Sequence, residues 1–260
     1  MTEHQKRVKE QIEKIWSYWY LHKDQLLDHF KRELRSLPEA FNIDPQILEN
    51  AYFSIVTQAF IRGYATMMLE LGVDEEKHRK ILETPFQLVS PWRVDFLAPV
   101  IHLVFKSPKE VADKQSNELS VHLRGLILTA TDMESALEDA LEHANNRLVI
   151  GGHTESMLAF NLGRVKAAKD SGKVVAFRYT AVLDARTCNL CAQTNGLILL
   201  PDSPFFDELA PPRHPNCRCY LEPLTELPEN FIEPDYSKIK KSLLWPARQN
   251  VYKTLWEMET

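Results

Sequence analysis

Cysteine is missing from most of this chain. Of its 260 residues only four are cysteines, and all four lie between positions 188 and 219. No apolar run approaches the roughly 20 residues that span a bilayer, so we expect no membrane partner. The N-terminus is polar and lacks the pattern of a signal peptide, which favours a reducing cytosol in which disulfides are rare. The clustered thiols therefore predict metal or redox chemistry.

Excess positive charge is also missing, and glycine is scarce. The formal net charge is −5 and the pI is about 6.0, which excludes a general attraction to nucleic acid. Proline outnumbers glycine by 15 to 8, which favours helices joined by stiff turns. A hydrophobic content of 44% is enough for a soluble globular protein with a buried core.

The N-terminal half carries apolar residues at helical spacing. The pattern predicts a helix over 5–36 and a second one that ends near Leu71, before Gly72. Asp44 can cap this second helix, and Pro45 suits its first helical position. A short helix near 74–83, an irregular proline-rich connector over 84–108 and a polar linker over 106–119 are predicted to follow.

The C-terminal half mixes helix and strand signals. Thr131 and Glu134 form a capping box before one helix, and Thr154 is predicted to cap another that ends at Gly172. Alternating and β-branched residues predict strands over 174–183, 197–200 and 219–221, with a terminal helix in the tail 235–260.

These elements predict an α+β fold that is mostly α-helical. A helical N-terminal region (1–108) would precede a small α+β domain (120–224), whose short antiparallel strands surround a zinc knuckle, and a C-terminal tail helix (225–260).

Five soft ligands are available for a metal ion that needs four. Cys188 and Cys191 have the spacing of a zinc knuckle pair, and His214 and Cys217 share that spacing. Cys219 would face the same side as Cys217 in a strand. A closed site of this kind is structural, since it leaves no position for water. The preferred ligand set is Cys188, Cys191, His214 and Cys219, with Cys217 as the alternative to Cys219; four cysteines with His214 outside the set also fit.

Charged residues flank the ligands. Asp184 and Arg186 precede the first pair, and Arg218 separates the last two cysteines. Such neighbours commonly orient metal ligands, so we expect a structural role. The alternative is that they take part in catalysis.

Two enzyme classes compete with a structural knuckle. His153 and Glu155 followed by the first cysteine pair imitate a zinc deaminase motif, but Thr187 stands where that motif has proline, and the second ligand group stays unexplained. A zinc-supported nuclease would use a histidine to activate water, whereas His214 is better used as a ligand.

Two surfaces are candidates for partners. Trp16, Trp19 and Tyr20 form an aromatic stripe that could dock a partner, although helical spacing is more typical of a core. A modest basic face could touch DNA, although a solvated helix face is the favoured explanation; it comprises Arg164, Lys166, Lys169 and Lys173.

Two ordered motifs resemble a known family. The run from Phe177 to Gly196, which contains Asp184, Arg186 and the first cysteine pair, looks like the signature of phage head morphogenesis proteins, the Mu F-like minor head proteins. The run Pro211–Cys219 resembles the second signature of that family. The likeness covers about residues 130–224; where the family often has Arg-Thr-Glu, this chain has His153-Thr154-Glu155.

The resemblance implies a non-enzymatic virion protein of a tailed phage or prophage. Such proteins associate with the portal and other head proteins, enter the procapsid during assembly in the host cytoplasm, and remain inside the capsid near the portal vertex. Some are implicated in packaging or ejection, so weak DNA contact belongs to the expectation, and a small-molecule substrate does not. A zinc-dependent enzyme on nucleic acid is the alternative; an effector domain on a phage-derived carrier is disfavoured, because little chain follows the second motif.

Overall fold

A computed structural model describes residues 2–36, 40–86, 101–239 and 250–258, with 101–108 by backbone alone. The described helices are α1 (Glu3–Ser36), α2 (Pro45–Glu70), α3 (Glu75–Glu83), α4 (Ile101–Thr129), α5 (Met133–Ser171), α6 (Asn189–Thr194), α7 (Phe206–Leu209) and α8 (Val251–Glu257). The described strands are β1 (Ala176–Thr180), β2 (Ile198–Leu199) and β3 (Tyr220–Leu224), and a 3-10 turn spans Tyr236–Lys238. The predicted α+β class, mostly helical with a small antiparallel sheet in the C-terminal half, is confirmed.

Helix α1 packs an apolar face on the other long helices. Its buried positions recur every three or four residues, as an amphipathic helix requires. Trp19 is fully buried, and its indole Nε1 donates a hydrogen bond to the Leu148 carbonyl on α5 at 3.0 Å. The aromatic residues of α1 therefore join α1 to the middle of α5.

Helices α2 and α5 share the most extensive contact among the described helices. They cross at two glycines: a Cβ added at Gly63 would lie 1.9 Å from the Phe160 carbonyl oxygen, and one at Gly163 would lie 2.1 Å from the Phe60 carbonyl oxygen. Only glycine permits this approach, because any side chain would overlap backbone atoms.

Helix α5 is one continuous helix of 39 residues, which corrects two sequence predictions. Its N-cap is Asp132, whose carboxylate accepts from the Glu134 amide, rather than Thr131. Thr154 starts no new helix; it lies inside α5 and donates to the Ile150 carbonyl. The end at Gly172 is confirmed, since this glycine adopts a left-handed φ of 61°.

Helix α4 replaces the predicted linker. Residues 106–119 lie inside Ile101–Thr129, where Ala112, Leu119 and Leu123 are buried against the core. The polar composition reflects the exposed face of an amphipathic helix. Of the predicted connector 84–108, residues 87–100 lie outside the described part, and 101–108 are helical. The proposed division into domains stays a prediction.

The sheet is small and fully antiparallel, in the order β2-β1-β3. Phe177 pairs with Leu199 on one side and Pro223 on the other. Helix α5 holds the edge strand through Asn161, which donates to the Cys219 carbonyl at 3.1 Å and accepts from the Leu221 amide at 3.0 Å. All three predicted strands are thus present, although each is shorter than or offset from its predicted range.

Helix α8 occupies the end of the predicted tail helix, and 240–249 lie outside the described residues. Within the described ranges, none of the helices combines the length and apolar character needed to cross a membrane.

Candidate metal centre

The first ligand pair follows directly from the central strand. Beyond β1 the chain makes a loop that is tied by Thr187, whose hydroxyl accepts from the Asp184 amide at 3.0 Å and donates to the Val182 carbonyl. Cys188 then caps helix α6, since its sulfur accepts from the Cys191 amide at 3.4 Å. The helix turn brings both thiols to the same side.

The second ligand group lies in a tight turn against α5. The Cys217 amide donates to the His214 carbonyl at 3.2 Å, and Asn216 takes a positive φ of 59° between them. The Asn216 amide donates to the Thr154 hydroxyl at 3.0 Å. Thr154, predicted as a helix cap, therefore anchors this turn to the core.

The two groups meet in a single cluster. His214 Nε2 lies 3.2 Å from Cys188 Sγ and 3.0 Å from Cys191 Sγ. Cys191 Sγ lies 3.7 Å from Cys217 Sγ, and Cys219 forms a second group with these two thiols, whose three sulfur atoms lie within 4.8 Å of one another. The structure thus brings together the five residues that the spacing singled out.

The sulfur–sulfur distance in this cluster matches a tetrahedral zinc site. Zinc–sulfur and zinc–nitrogen bonds of about 2.3 and 2.0 Å place two sulfurs about 3.8 Å apart, and sulfur and nitrogen about 3.5 Å apart. The observed sulfur–sulfur edge of 3.7 Å agrees, whereas the sulfur–nitrogen distances of 3.2 and 3.0 Å are hydrogen-bond distances, shorter than in a metal site. The soft donors and the sulfur–sulfur separation therefore fit zinc.

The cluster also perturbs its own titration. Hydrogen bonding to Cys191 and Cys217 raises the pKa of His214 to about 11. Hydrogen bonding to Cys191 also holds the pKa of the Cys217 thiol well below its ordinary value. The proton held between the imidazole and the thiolates lies in the region that a bound cation would occupy.

Tyr179 is a member of the site that sequence reasoning missed. It is fully buried on β1, and its hydroxyl lies 3.3 Å from Cys191 Sγ and 3.9 Å from Cys217 Sγ. The guanidinium of Arg213, itself fully buried, lies 5.9 Å from the Tyr179 ring centroid and donates to the Thr194 hydroxyl. Alternation in the strand predicts that Tyr179 faces the same side as Phe177 and Ala181. It does not predict that the Tyr179 hydroxyl contacts the cysteine sulfurs.

Asp184 and Arg218 form a two-pronged ion pair at the edge of the cluster. Arg218 Nη1 donates to Asp184 Oδ2 at 2.6 Å, and Arg218 Nη2 donates to Asp184 Oδ1. The hydrogen bond from Arg218 holds the pKa of Asp184 well below its ordinary value. Arg186 adds a backbone hydrogen bond at 2.9 Å, while its side chain stays 3.8 Å away and largely exposed. This pair links the first ligand loop to the second ligand segment.

The aromatic stripe is mostly part of the core. Trp16 and Trp19 are buried, and the Trp16 ring stacks on His153 at 3.8 Å. Tyr20 is 41% exposed and meets the His153 ring edge-on at 5.3 Å. Docking through this stripe stays a prediction, with Tyr20 as the member accessible from solvent.

The predicted basic face is largely paired. Arg164 is fully buried, with a two-pronged ion pair to Glu70 and a 2.6 Å hydrogen bond to the Leu221 carbonyl. Lys166 pairs with Asp170, and Lys173 donates to the Leu71 carbonyl at 3.1 Å. Arg164 therefore cannot contact DNA from this position.

The deaminase arrangement finds no support in the geometry of the described residues. The groups able to hold a metal there consist of the four cysteines and His214. His153 and Glu155 lie buried within α5, and His153 packs on Trp16. The sequence pattern that imitated a deaminase thus arises from a packed helix.

Comparison with known proteins agrees with the two motifs. Residues 125–222 match the family described as Phage Mu protein F like protein. The matched segment contains the whole of α5, strands β1 and β2, the first part of β3 and all five candidate ligands, and it is similar to this family of phage head proteins. Neither the curated proteins nor the solved structures give a match. Head morphogenesis is therefore the process that the family indicates for this chain.

Proposed function

We propose that this protein is a minor head protein that associates with the portal during procapsid assembly and stays in the virion. The observation that carries the proposal is the Mu F-like match over 125–222, which includes both ligand motifs in order. Its role is architectural, without catalysis. Assistance in DNA packaging or ejection, with weak DNA contact, belongs to the same proposal.

The Cys/His cluster is proposed to be a structural zinc knuckle. Zinc supplies a fourfold cross-link between the loop after β1 and the turn that α5 anchors, in a region that has little apolar core of its own. The small cluster around Tyr179 and the cysteines is separate from the main core, which supports this need.

Cys217 is the better candidate for the fourth ligand beside Cys188, Cys191 and His214. Its sulfur lies 3.7 Å from Cys191 Sγ, and its hydrogen bond to His214 helps to raise the pKa of that imidazole, which places Cys217 beside both ligand groups. This choice differs from the preference for Cys219 that spacing alone suggested.

Metal analysis of purified protein tests the knuckle. About one zinc per chain is expected in the wild type. Cys188→Ser and Cys217→Ser should lose it, and Cys219→Ser should retain it. Retention in Cys217→Ser with loss in Cys219→Ser would reverse the assignment of the fourth ligand. A folded wild type without metal would remove the zinc proposal and leave the head-protein proposal untouched.

Assembly is tested by co-expression with the portal and major capsid proteins of the same phage genome. We expect the chain to sediment with procapsids and to co-purify with portal when capsid protein is omitted. The proposed function would be contradicted if the chain neither sedimented with procapsids nor co-purified with portal. Turnover of nucleic acid by the zinc-loaded protein would favour the enzyme alternative.

A further inference from the structure

A long groove lies between α1 and the loop that leads to the cysteines. Its first part, of about 330 Å³, is bounded by α1 on one side and by Val182, Arg186 and Arg218 on the other. A second hollow of about 390 Å³ continues it along Thr180–Leu183. Lys9 and Val182 border both parts, so the two hollows form one continuous groove.

The dimensions of the groove fit an extended peptide. Along α1 it runs from Gln5 to Tyr20, which is about 22 Å at 1.5 Å per residue. An extended chain covers that distance in about seven residues. Its successive side chains point to opposite sides, so one set can face the floor and the other the rim.

The floor and the rim of the groove differ in chemistry. Ile12, Trp16 and Val182 make an apolar floor, and Leu183 beside it is 65% exposed. Among the charged side chains that line the first part, three are cations and one is a carboxylate; they are Lys9, Arg186, Arg218 and Glu13.

Two of the three cations in this lining, Lys9 and Arg186, are only weakly paired with carboxylates. Arg218 is committed to Asp184, but the Arg186 side chain is 64% exposed and lies 3.8 Å from that carboxylate. Lys9 lies 4.0 Å from Glu13, and both are at the surface. With Asp184 offsetting Arg218 and Glu13 offsetting one further cation, this lining keeps a small positive excess in a chain whose net charge is −5.

We propose that this groove binds an extended acidic segment of a partner protein, in which carboxylates alternate with apolar side chains. The apolar side chains occupy the floor, and the carboxylates face Lys9 and Arg186. The inference rests on the proposed role in head assembly, for which it defines the kind of partner. Two weakly paired cations are too few to track a polyanionic nucleic acid strand, which favours a peptide.

Fluorescence anisotropy with a labelled peptide tests this proposal on the zinc-supplemented full-length protein. The probe is a capped peptide of about nine residues that alternates glutamate with leucine or phenylalanine. Two control peptides replace every glutamate by glutamine, or every apolar residue by alanine. We expect saturable binding of the probe and at least about tenfold weaker binding of both controls.

Matched charge reversals on one helix identify the site. Lys9→Glu should weaken binding about tenfold, whereas Lys14→Glu should change it less than about twofold. Both lysines lie on α1 and both pair with a glutamate one turn away, but Lys14 is outside the groove. Arg186→Gln should also weaken binding, and circular dichroism verifies that each variant is folded.

Other outcomes would overturn the proposal. Absence of saturable binding at millimolar protein, or equal effects of Lys9→Glu and Lys14→Glu, would contradict it. Tighter binding of a labelled single-stranded oligonucleotide with the same sensitivity to Lys9 would make the groove a nucleic-acid site instead. Because procapsid sedimentation is measured separately, failure here with normal sedimentation would leave the proposed function standing.

Discussion

At the scale of single residues, Tyr179 and His153 are the buried groups whose surroundings give the sharpest expectations. Tyr179 lies beside two candidate ligands, and His153 is a buried imidazole whose Nε2 has no hydrogen-bond partner in the described part of the structure. Both side chains are buried, so a substitution that removes the polar atoms and keeps a ring tests the polar contacts without leaving a large cavity.

Tyr179→Phe should weaken zinc retention about tenfold, because residues that hydrogen-bond metal ligands commonly contribute that much. The hydroxyl at 3.3 Å from Cys191 Sγ is lost while the ring is kept. The rate of zinc transfer to a colorimetric chelator measures the effect. Tyr236→Phe is the control, since it removes a buried hydroxyl that donates to the Ile198 carbonyl outside the cluster. Equal release from both variants would contradict a link between Tyr179 and the metal.

His153 should make folding sensitive to mild acid. Burial lowers its pKa from 6.5 to about 4, so the unfolded chain takes up a proton at a higher pH than the folded protein does. The stability is therefore complete above pH 6.5 and falls as the pH drops toward 4. At pH 5 this one group should cost about 2 kcal/mol.

His153→Phe removes the titrating group and keeps a ring to stack on Trp16. Urea unfolding at pH 7 and pH 5 should show a smaller loss of stability in the variant than in the wild type, by about 2 kcal/mol. The difference between the two proteins excludes contributions from the cysteine cluster, which both retain. Equal losses would mean that His153 keeps its ordinary pKa in the folded state.

At the scale of elements, the crossing of α2 and α5 determines how close the core helices approach. Gly163→Ala should destabilise the protein by about 3 kcal/mol, because the new Cβ would overlap the Phe60 carbonyl and force the helices apart. Gly125→Ala is the matched control: this glycine is exposed on α4, with no atom within 4 Å of its added Cβ.

Gly125→Ala should instead stabilise the protein by up to about 1 kcal/mol, through helix propensity. Thermal unfolding of both variants gives the comparison. Destabilisation by both substitutions to the same extent would contradict the close helix approach at Gly163.

The elements also show what the sequence could and could not predict. The boundaries of α1 and α2 followed from amphipathic spacing and from the Asp44–Pro45 cap. The continuity of α5 did not, because its middle is buried all round and shows no polar face between Gly151 and Ala168. Thr154 therefore resembled a cap, whereas tertiary packing makes it an interior residue that anchors a loop.

The candidate site was predictable in composition but not in its supporting contacts. Close spacing singled out the five candidate ligands, since chelation depends on local sequence. The contact of Thr154 with Asn216 joins positions 62 residues apart, and that of Tyr179 with Cys217 joins positions 38 apart. Such pairs depend on the path of the chain, which a single sequence does not reveal.

At the scale of the whole molecule, the cysteine cluster and the main helical core are distinct apolar units. Removal of zinc with a strong chelator should therefore loosen the segment around residues 181–219 and leave most of the helical circular dichroism intact. Limited proteolysis should then cleave within this segment first. Each kcal/mol lost should lower the melting temperature by about 2–4 °C. Collapse of the entire helical signal on chelation would contradict the separation of the two units.

We expect the matched region to be unstable when it is separated from the helices that precede it. Helix α5 lies largely within it, yet its central stretch is covered by α1 and α2, which precede the match. Excised as 125–222, the segment would expose the faces of Gly152 and Gly163 that now receive Trp19 and α2. Any protein that shares this segment but has an unrelated N-terminal half must therefore supply a substitute cover, with its own small-residue contacts at the same two places.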